Sequence, residues 1–201
     1  AEVRFIRGYS YFMLTRLFGK VPIIDTLFTD PAAQNNVPQS SVDQVYAFIE
    51  RDLNFAAAYL PAFWDAVKFP GRITSGAANG ILTKVYLTQQ KWAQAMNTAN
   101  MVMNSGQYNL STPYNTIFGE EGENSKESIF EVQARADAIN TTSQGIQYTS
   151  LQGVRGAGPW DLGWGWNSPS ANLAAAYEPN DPRRARTILF TSTPTTPGVT
   201  I

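Results

Sequence analysis

The chain of 201 residues contains no cysteine and no histidine. The absence of cysteine excludes disulfides and thiol nucleophiles. The absence of imidazole excludes catalytic triads, haem held by histidine and zinc sites of the usual ligand set. A protein without thiols is indifferent to the redox state around it, so the composition does not identify its compartment. Enzyme mechanisms that need a thiol or an imidazole are therefore excluded for this chain.

The chain also has no excess of charge of either sign. Fifteen basic residues stand against sixteen acidic ones, which gives a formal net charge of −1. No overall field would therefore attract the protein to nucleic acid or to anionic lipid. No apolar run approaches the roughly 20 residues that a membrane-spanning helix needs. The hydrophobic content of 43% is sufficient for a core, and we expect a globular protein with no nucleic-acid partner.

The beginning of the chain has the pattern of a helix that ends near Phe18. Gly19 suits a left-handed helix end, and Pro22 cannot continue the hydrogen-bond ladder. Apolar side chains recur every three to four residues, which predicts one broad buried face. The residues of this predicted face are Val3, Phe5, Ile6, Tyr9, Phe12, Met13 and Leu17.

The next hundred residues predict further helices. Ser41 and Gln44 have the spacing of a capping box, which indicates the start of a second helix. Thr74 or Ser75 is expected to cap a third helix. Between residues 77 and 106, apolar and small residues fall at the offsets of a tetratricopeptide helix pair. Because a lone pair cannot bury its own faces, we expect these helices to stack as a partial solenoid. The residues at those offsets are Leu82, Tyr86, Ala95, Ala99 and Val102.

The second half of the chain has a different character. Residues 128–133 alternate in polarity, which predicts a short strand. Residues 135–169 are rich in small polar residues and predict long loops of the kind that carry function. We therefore predict a mainly α fold. It has tetratricopeptide-like helical repeats over residues 1–110 and a loop-rich ligand-binding region over residues 111–201, with a few short strands.

The most suggestive cluster consists of Trp160, Trp164 and Trp166, with Asp161 and Asn167 beside them. Flat indole faces stack on the C–H faces of sugars, and the neighbouring carboxylate and amide can bind hydroxyl groups. If the segment is extended, the last two indoles face the same way. The competing interpretation is that Trp160 and Trp166 anchor the loop on the helical core. We take all five residues as candidate ligand-binding residues.

Trp64 is a further candidate. It lies in a predicted loop, residues 61–73, between the second and third helices. A large indole in a loop usually packs as a lid on the core, and that interpretation competes with contact to a ligand. We keep Trp64 among the candidate ligand-binding residues.

Carboxylates are candidates for catalysis, because a glycosidase needs only two of them about 5 to 10 Å apart. Glu120, Glu121 and Glu123 lie in a hydrophilic loop, where a charge run is normally solvated, and nothing in the sequence pairs the other candidates. The same loop lacks the alternating carboxylates of an EF-hand. Residues 181–184 are expected to form an ion-paired turn. We therefore expect no catalytic residue, no bound metal and no cofactor. The other carboxylates considered for catalysis are Asp161, Glu178 and Asp181.

Several blocks of sequence follow one another along nearly the whole chain: Ala1–Phe5 through Gly19–Pro22, Val45–Tyr46 to Asp52–Leu53, Arg72–Ala78, Lys84–Leu87, Trp92–Tyr108, Glu127–Glu131, and Pro169–Glu178 with Asp181–Arg184. In this order and spacing they resemble the SusD/RagB family. The resemblance implies a surface lipoprotein of Bacteroidetes-type bacteria, built on tetratricopeptide-like helices. Such a protein lies over a SusC-like TonB-dependent transporter in the outer membrane and captures glycans or peptides for import.

The resemblance implies a non-catalytic protein that binds oligosaccharides at the cell surface and delivers them to that transporter. We expect the chain to be an internal piece of such a lipoprotein. It would lack the export signal, the lipidated cysteine that attaches the protein to the outer membrane, the first repeat helices and the C-terminal part. Binding residues differ between family members, so none is transferred to this chain. A tetratricopeptide scaffold that binds a peptide or partner protein is the second hypothesis, and a glycoside hydrolase is a distant third.

Overall fold

The computed structural model describes residues 1–27, 29–30, 32, 35–134, 151–156 and 163–190. In these residues the protein forms seven α-helices and one 3-10 turn, without a strand. None of the helices found there is both long and apolar enough to cross a membrane. The helices are α1 Glu2–Phe18, α2 Val42–Tyr59, α3 Ser75–Thr88, α4 Trp92–Met103, α5 Tyr114–Ile117, α6 Ala171–Ala175 and α7 Pro182–Thr187, and the 3-10 turn is Glu120–Gly122.

The chain divides into two compact units. The first unit contains Ala1–Thr112 together with Glu123–Glu131, and the second contains Pro113–Gly122 and the described residues from Val132 onward. In the first unit the four long helices form a row in which α1 packs on α2, α2 on α3 and α3 on α4. Small residues are buried along this row, so that the helices can approach closely. They are Ala56, Ala77, Ala78 and Ala95.

The helix ends follow the predicted capping. The Gln44 backbone N–H donates to Ser41 Oγ at 3.3 Å, and the Ser41 N–H donates to Gln44 Oε1 at 2.9 Å, which completes the capping box of α2. Thr74 is the cap of α3, because its Oγ1 accepts from the Ala77 N–H at 3.1 Å. Helix α1 ends at Phe18, and Gly19 follows with a φ of 71°. These three predictions are confirmed.

The buried face of α1 differs from the predicted one. Phe5 and Phe12 are buried, but most of the other predicted members are exposed. The reason is Gly8, where a Cβ would lie only 2.9 Å from Cγ of Leu53 in α2. Because the absence of a side chain at Gly8 lets Leu53 come this close, the residues on the same face of α1 are the ones that become buried. The observed face is Phe5, Gly8, Tyr11, Phe12 and Thr15, and the exposed members of the predicted face are Val3, Ile6, Met13 and Leu17.

The predicted strand at residues 128–133 is not formed, so the expectation of short strands is wrong for the part of the chain that the structure describes. Phe130 instead packs edge-on against Phe5 and Tyr9, with ring centroids 5.0 and 5.9 Å apart. Ile129 lies against Gly80, where a Cβ would be 2.9 Å from Cγ2 of the isoleucine. Packing on the helices, rather than pairing with another strand, thus holds Ile129 and Phe130 in the first unit.

A buried carboxylate joins α1 to α2. Asp52 is fully buried, and its two oxygens accept hydrogen bonds from Arg7 Nε at 2.6 Å and Nη2 at 2.9 Å. Arg4 Nε lies 3.9 Å from the same carboxylate. The hydrogen bond to Asp52 raises the pKa of Arg7 above its ordinary value. Because an unpaired buried charge is costly, this pair fixes the position of α1 on α2.

The second unit contains short helices with side-chain caps. Ser170 Oγ accepts from the Leu173 N–H at 3.2 Å at the start of α6. Asp181 caps α7 and also pairs with Arg183, whose Nη2 lies 2.6 Å from the carboxylate. The pair, with the hydrogen bond from Arg183 as its largest component, lowers the pKa of Asp181. The ion pair predicted within residues 181–184 is thus present, but residues 182–187 form helix α7 rather than a turn.

Replacement of Asp52 tests the buried ion pair. We expect Asp52→Ala to lower the free energy of unfolding by about 3 kcal/mol. The Arg7 side chain is only 29% exposed, and it would lose its charged partner. Asp25→Ala is the matched control. Asp25 lies 3.9 Å from Arg51 with both side chains about half exposed, so its loss should cost less than about 1 kcal/mol. Urea denaturation measures both values, and equal losses would contradict the special role of Asp52.

Candidate functional site

The loop that contains Trp164 and Trp166 has an ordered backbone. Three hydrogen bonds join residues 163–166 to residues 151–154, each donated by an amide of the later segment to a carbonyl of the earlier one at 2.8–3.0 Å. Ser168 Oγ donates to the Gly165 carbonyl at 2.9 Å. The two tryptophans are therefore carried by a backbone whose conformation is fixed locally.

Both indoles are largely exposed. Trp164 has 60% and Trp166 has 62% of its surface accessible to solvent. The Arg155 guanidinium lies 5.9 Å from the ring centroid of Trp164, within the range of a cation–π contact. Neither indole is sealed inside a core, so both can contact a ligand.

The segment is not a regular extended strand. Gly165 between the two tryptophans has a φ of 70°, and Asn167 has a φ of 58°. The alternation of an extended strand does not apply here, so the condition for the two indoles to share a face is not met. Asn167 is exposed and remains a candidate. Trp160 and Asp161 lie outside the described residues.

Trp64 belongs to a tightly connected group in the first unit. Its Nε1–H donates to the Ile73 carbonyl at 2.7 Å, and its ring lies edge-on to Phe69 with centroids 5.6 Å apart. The Arg72 guanidinium carbon lies 4.1 Å from the Trp64 centroid and 5.1 Å from that of Phe69. The indole is half-buried and cannot turn freely. A rigid aromatic wall of this kind costs little entropy when a ligand binds.

The aromatic wall is attached to α1 by an ion pair. Arg72 donates from Nε to Glu2 Oε1 at 2.7 Å and from Nη2 to Glu2 Oε2 at 2.9 Å. The hydrogen bond from Arg72 is the main cause of the lowered pKa of Glu2, and the same bond raises the pKa of Arg72. The pair is partly exposed, so its geometry matters more than its strength.

A cavity of about 350 Å³ lies beside this wall, and its lining comes from residues 62–74, 107–108 and 124–131. The hydroxyls of Tyr108 and Thr74 share a hydrogen bond of 2.8 Å at its edge. Gly76 lies directly beneath Tyr108, and a Cβ there would overlap the phenol ring. Sequence reasoning selected Trp64 but missed Phe63 and Tyr108. The aromatic cluster Phe63, Trp64 and Phe69 within one loop was the available signal.

A second cavity, of about 320 Å³, lies in the second unit between α5, α6 and α7 and includes Tyr114, Tyr177 and Asp181. Two carboxylates line it, Asp181 and Glu178. That of Asp181 is already occupied by Arg183 and by the cap of α7. Among the described residues, no group of three or more potential metal ligands lies together. Asp181 thus has a structural role in this cavity.

Comparisons with known proteins decide the family. The model of the family SusD-like_3, described as starch-binding associating with outer membrane, matches residues 1–87. SusD-like protein P2 of Formosa agariphila is 28% identical over 96% of this chain and 39% of its own length. The starch-binding protein SusD of Bacteroides thetaiotaomicron is 28% identical over 87% of the chain and 32% of its length.

The chain belongs to the SusD/RagB family. A solved structure described as a laminarin binding SusD-like protein superposes with a TM-score of 0.72 at 28% identity, and covers 87% of this chain and 42% of its own. The mainly α, tetratricopeptide-like fold predicted from sequence is thus confirmed for this SusD-like chain. The chain spans between about a third and two fifths of the lengths of these relatives.

Protonation of Glu2 tests the link between α1 and the aromatic wall. Since Arg72 lowers the pKa of Glu2, the pair stabilises the fold at neutral pH, and this contribution is lost as the pH falls through the lowered pKa. We expect Glu2→Gln to be less stable than the wild type at neutral pH, and the difference to shrink below about pH 4. Urea denaturation at each pH measures it. Glu123→Gln, at an exposed loop position, is the control, and a difference for Glu2→Gln that is independent of pH argues against the link.

Proposed function

We propose that this chain is part of a surface protein that binds oligosaccharides without altering them and delivers them to a SusC-like TonB-dependent transporter. Its relatives support the ligand class, since one is named starch-binding and a solved one laminarin binding. The family description, which mentions association with the outer membrane, supports the location. A lipid anchor outside this chain would attach the protein there.

The observation that carries the proposal is the exposure of Trp164 and Trp166 on a hydrogen-bonded loop. Exposed indoles lose unfavourable contact with water when a sugar face stacks on them. The ordered backbone reduces the entropy that binding would cost. Arg155 beside Trp164 and the amide of Asn167 supply hydrogen bonds to hydroxyl groups. Trp160 and Asp161 remain part of this proposed site.

A binding role without chemistry is supported by two of the carboxylates that the structure describes. Asp181 is held by Arg183 and by a helix cap, and Glu131 accepts from the Asn124 backbone N–H at 3.0 Å. Retaining and inverting glycosidases need a pair of carboxylates free to face the same bond. We therefore propose that the ligand is held and released unchanged.

A scaffold for a protein partner is the second candidate. Helices α1 and α4 stand at the two ends of the helix row and carry exposed apolar side chains. Such side chains on outer faces are typical of surfaces that another protein covers. The exposed apolar residues on these helices include Leu17, Phe18, Trp92, Met96 and Met103.

Replacement of Trp164 separates the two functions. We expect Trp164→Ala to weaken the binding of a responding oligosaccharide at least about tenfold, since a stacked indole at a binding hot spot contributes about 1.4 kcal/mol or more. Titration of laminarihexaose, maltohexaose and xyloglucan oligosaccharides in a calorimeter measures the affinity.

The control is Trp92→Ala, because Trp92 has a similar exposure, 62%, but lies on α4 in the first unit. It should leave sugar affinity unchanged. Equal affinity of both variants would remove Trp164 from the site. Heat from peptides but from no glycan would favour the scaffold, and shortened oligosaccharides after incubation would establish hydrolysis.

A further inference from the structure

We propose that the cavity beside Trp64 is a second saccharide site, which holds one uncharged sugar ring independently of the Trp164 loop. The Trp64 cleft, as we name it, is lined only by residues of the first unit. The inference rests on the proposed function in one respect, the saccharide nature of the ligand. The walls of the cleft differ in chemistry, and each matches one kind of surface on a sugar.

One wall is aromatic and only partly covered. Phe63 lines the cleft and has 70% of its surface exposed, next to the half-buried Trp64. An exposed phenylalanine next to a fixed indole offers an apolar plane for the C–H face of a sugar. Because Phe63 both lines the cleft and is exposed, its ring is available to contact a ligand.

The wall is fixed before a ligand arrives. Trp64 donates to the Ile73 carbonyl, and Arg72 stacks on the indole while two of its nitrogens bind Glu2. Contacts from two directions, a loop carbonyl and helix α1, thus determine the orientation of the ring. A pre-organised surface of this kind is typical of small-molecule sites.

The lining of the cleft also includes a polar part. Gln107, Ser125 and Ser128 line it with amide and hydroxyl groups, and Tyr108 contributes a phenol that is held by Thr74. Each of these groups can donate or accept a hydrogen bond, as sugar hydroxyls require. Aromatic and neutral polar groups within one cleft match the two kinds of surface that a sugar ring presents.

The charges of the cleft favour an uncharged ligand. Its charged lining residues are Arg72, Lys126 and Glu131. Glu2 neutralises Arg72 through two hydrogen bonds, so one ammonium and one carboxylate remain. An acidic sugar would gain from Lys126 but be repelled by Glu131, and an amino sugar would experience the reverse. A neutral ring avoids both penalties and can use both groups as hydrogen-bond partners.

The size of the cleft limits the ligand. Its volume of about 350 Å³ lies at the lower end of the roughly 300–1,000 Å³ range of ligand pockets. The site therefore accepts a terminal ring or a short segment of a chain. An oligosaccharide longer than the cleft would extend beyond it into solvent.

The Trp64 indole provides a direct probe of this cleft. In a spectrum of the ¹⁵N-labelled chain, each tryptophan gives one indole N–H signal, which replacement by phenylalanine assigns. We expect laminarihexaose to shift the Trp64 signal in a saturable way, and we expect the same shift in Trp164→Ala. Failure of the Trp164 site therefore leaves this test intact, and a Trp64 signal unmoved at millimolar laminarihexaose, maltohexaose and xyloglucan oligosaccharide would overturn the second site.

Phe63→Ala and Val67→Ala are the matched variants. Both residues are exposed in the same loop, but only Phe63 lines the cleft. We expect Phe63→Ala to weaken the affinity measured from the shift of the Trp64 signal at least about tenfold. Val67→Ala should leave that affinity unchanged. Equal responses in the two variants would exclude Phe63 from a binding surface and overturn the proposed wall.

Two further probes test the class of ligand. Trigalacturonate, an acidic oligosaccharide, should bind more weakly than laminaritriose because Glu131 repels it, and equal or tighter binding would overturn the uncharged ligand. N-acetylphenylalaninamide represents an apolar peptide side chain. A Trp64 shift with this amide as strong as that with the sugar would identify a peptide pocket instead and overturn the saccharide site.

Discussion

The ion pair between Asp52 and Arg7 is the contact on which the first unit depends. It holds α1 against α2 at a point where the carboxylate has no access to water. Once α1 is fixed, its first residue, Glu2, stands where it can hold Arg72, and Phe5 stands where it can receive Phe130. A single polar contact between two helices thus determines where a loop and an irregular segment attach, because both bind to α1.

Local features of the fold could be predicted from the sequence, whereas contacts between distant segments could not. The capping box of Ser41 and the helix end at Gly19 depend on neighbouring residues only, and both are as predicted. The buried face of α1 depends on how closely α2 approaches at Gly8. Periodicity alone does not contain that information, since α1 is apolar on more than one side. The strand predicted around Phe130 is wrong for the same reason, because that segment packs on residues far away in the chain.

In the candidate site, too, residue types could be predicted from the sequence, whereas contacts between distant residues could not. An aromatic loop is visible in the sequence, so the residue types alone are enough to select Trp64 and Trp164. The pairing of Glu2 with Arg72, 70 residues apart, has no local signal. It is this pair, together with the stacking of Arg72 on the indole, that turns an aromatic loop into a firm wall. Sequence therefore indicates the kind of side chain involved, and the fold supplies its partners.

The contact between Gly76 and Tyr108 has a consequence for the divergence of such proteins. The phenol occupies the space where any larger residue at position 76 would place its first carbon. One nucleotide change that introduces alanine there would therefore expel the ring and deepen the neighbouring hollow, with the helix backbone still in a favourable conformation. A single small substitution would in this way enlarge the proposed Trp64 cleft without rebuilding the helices around it.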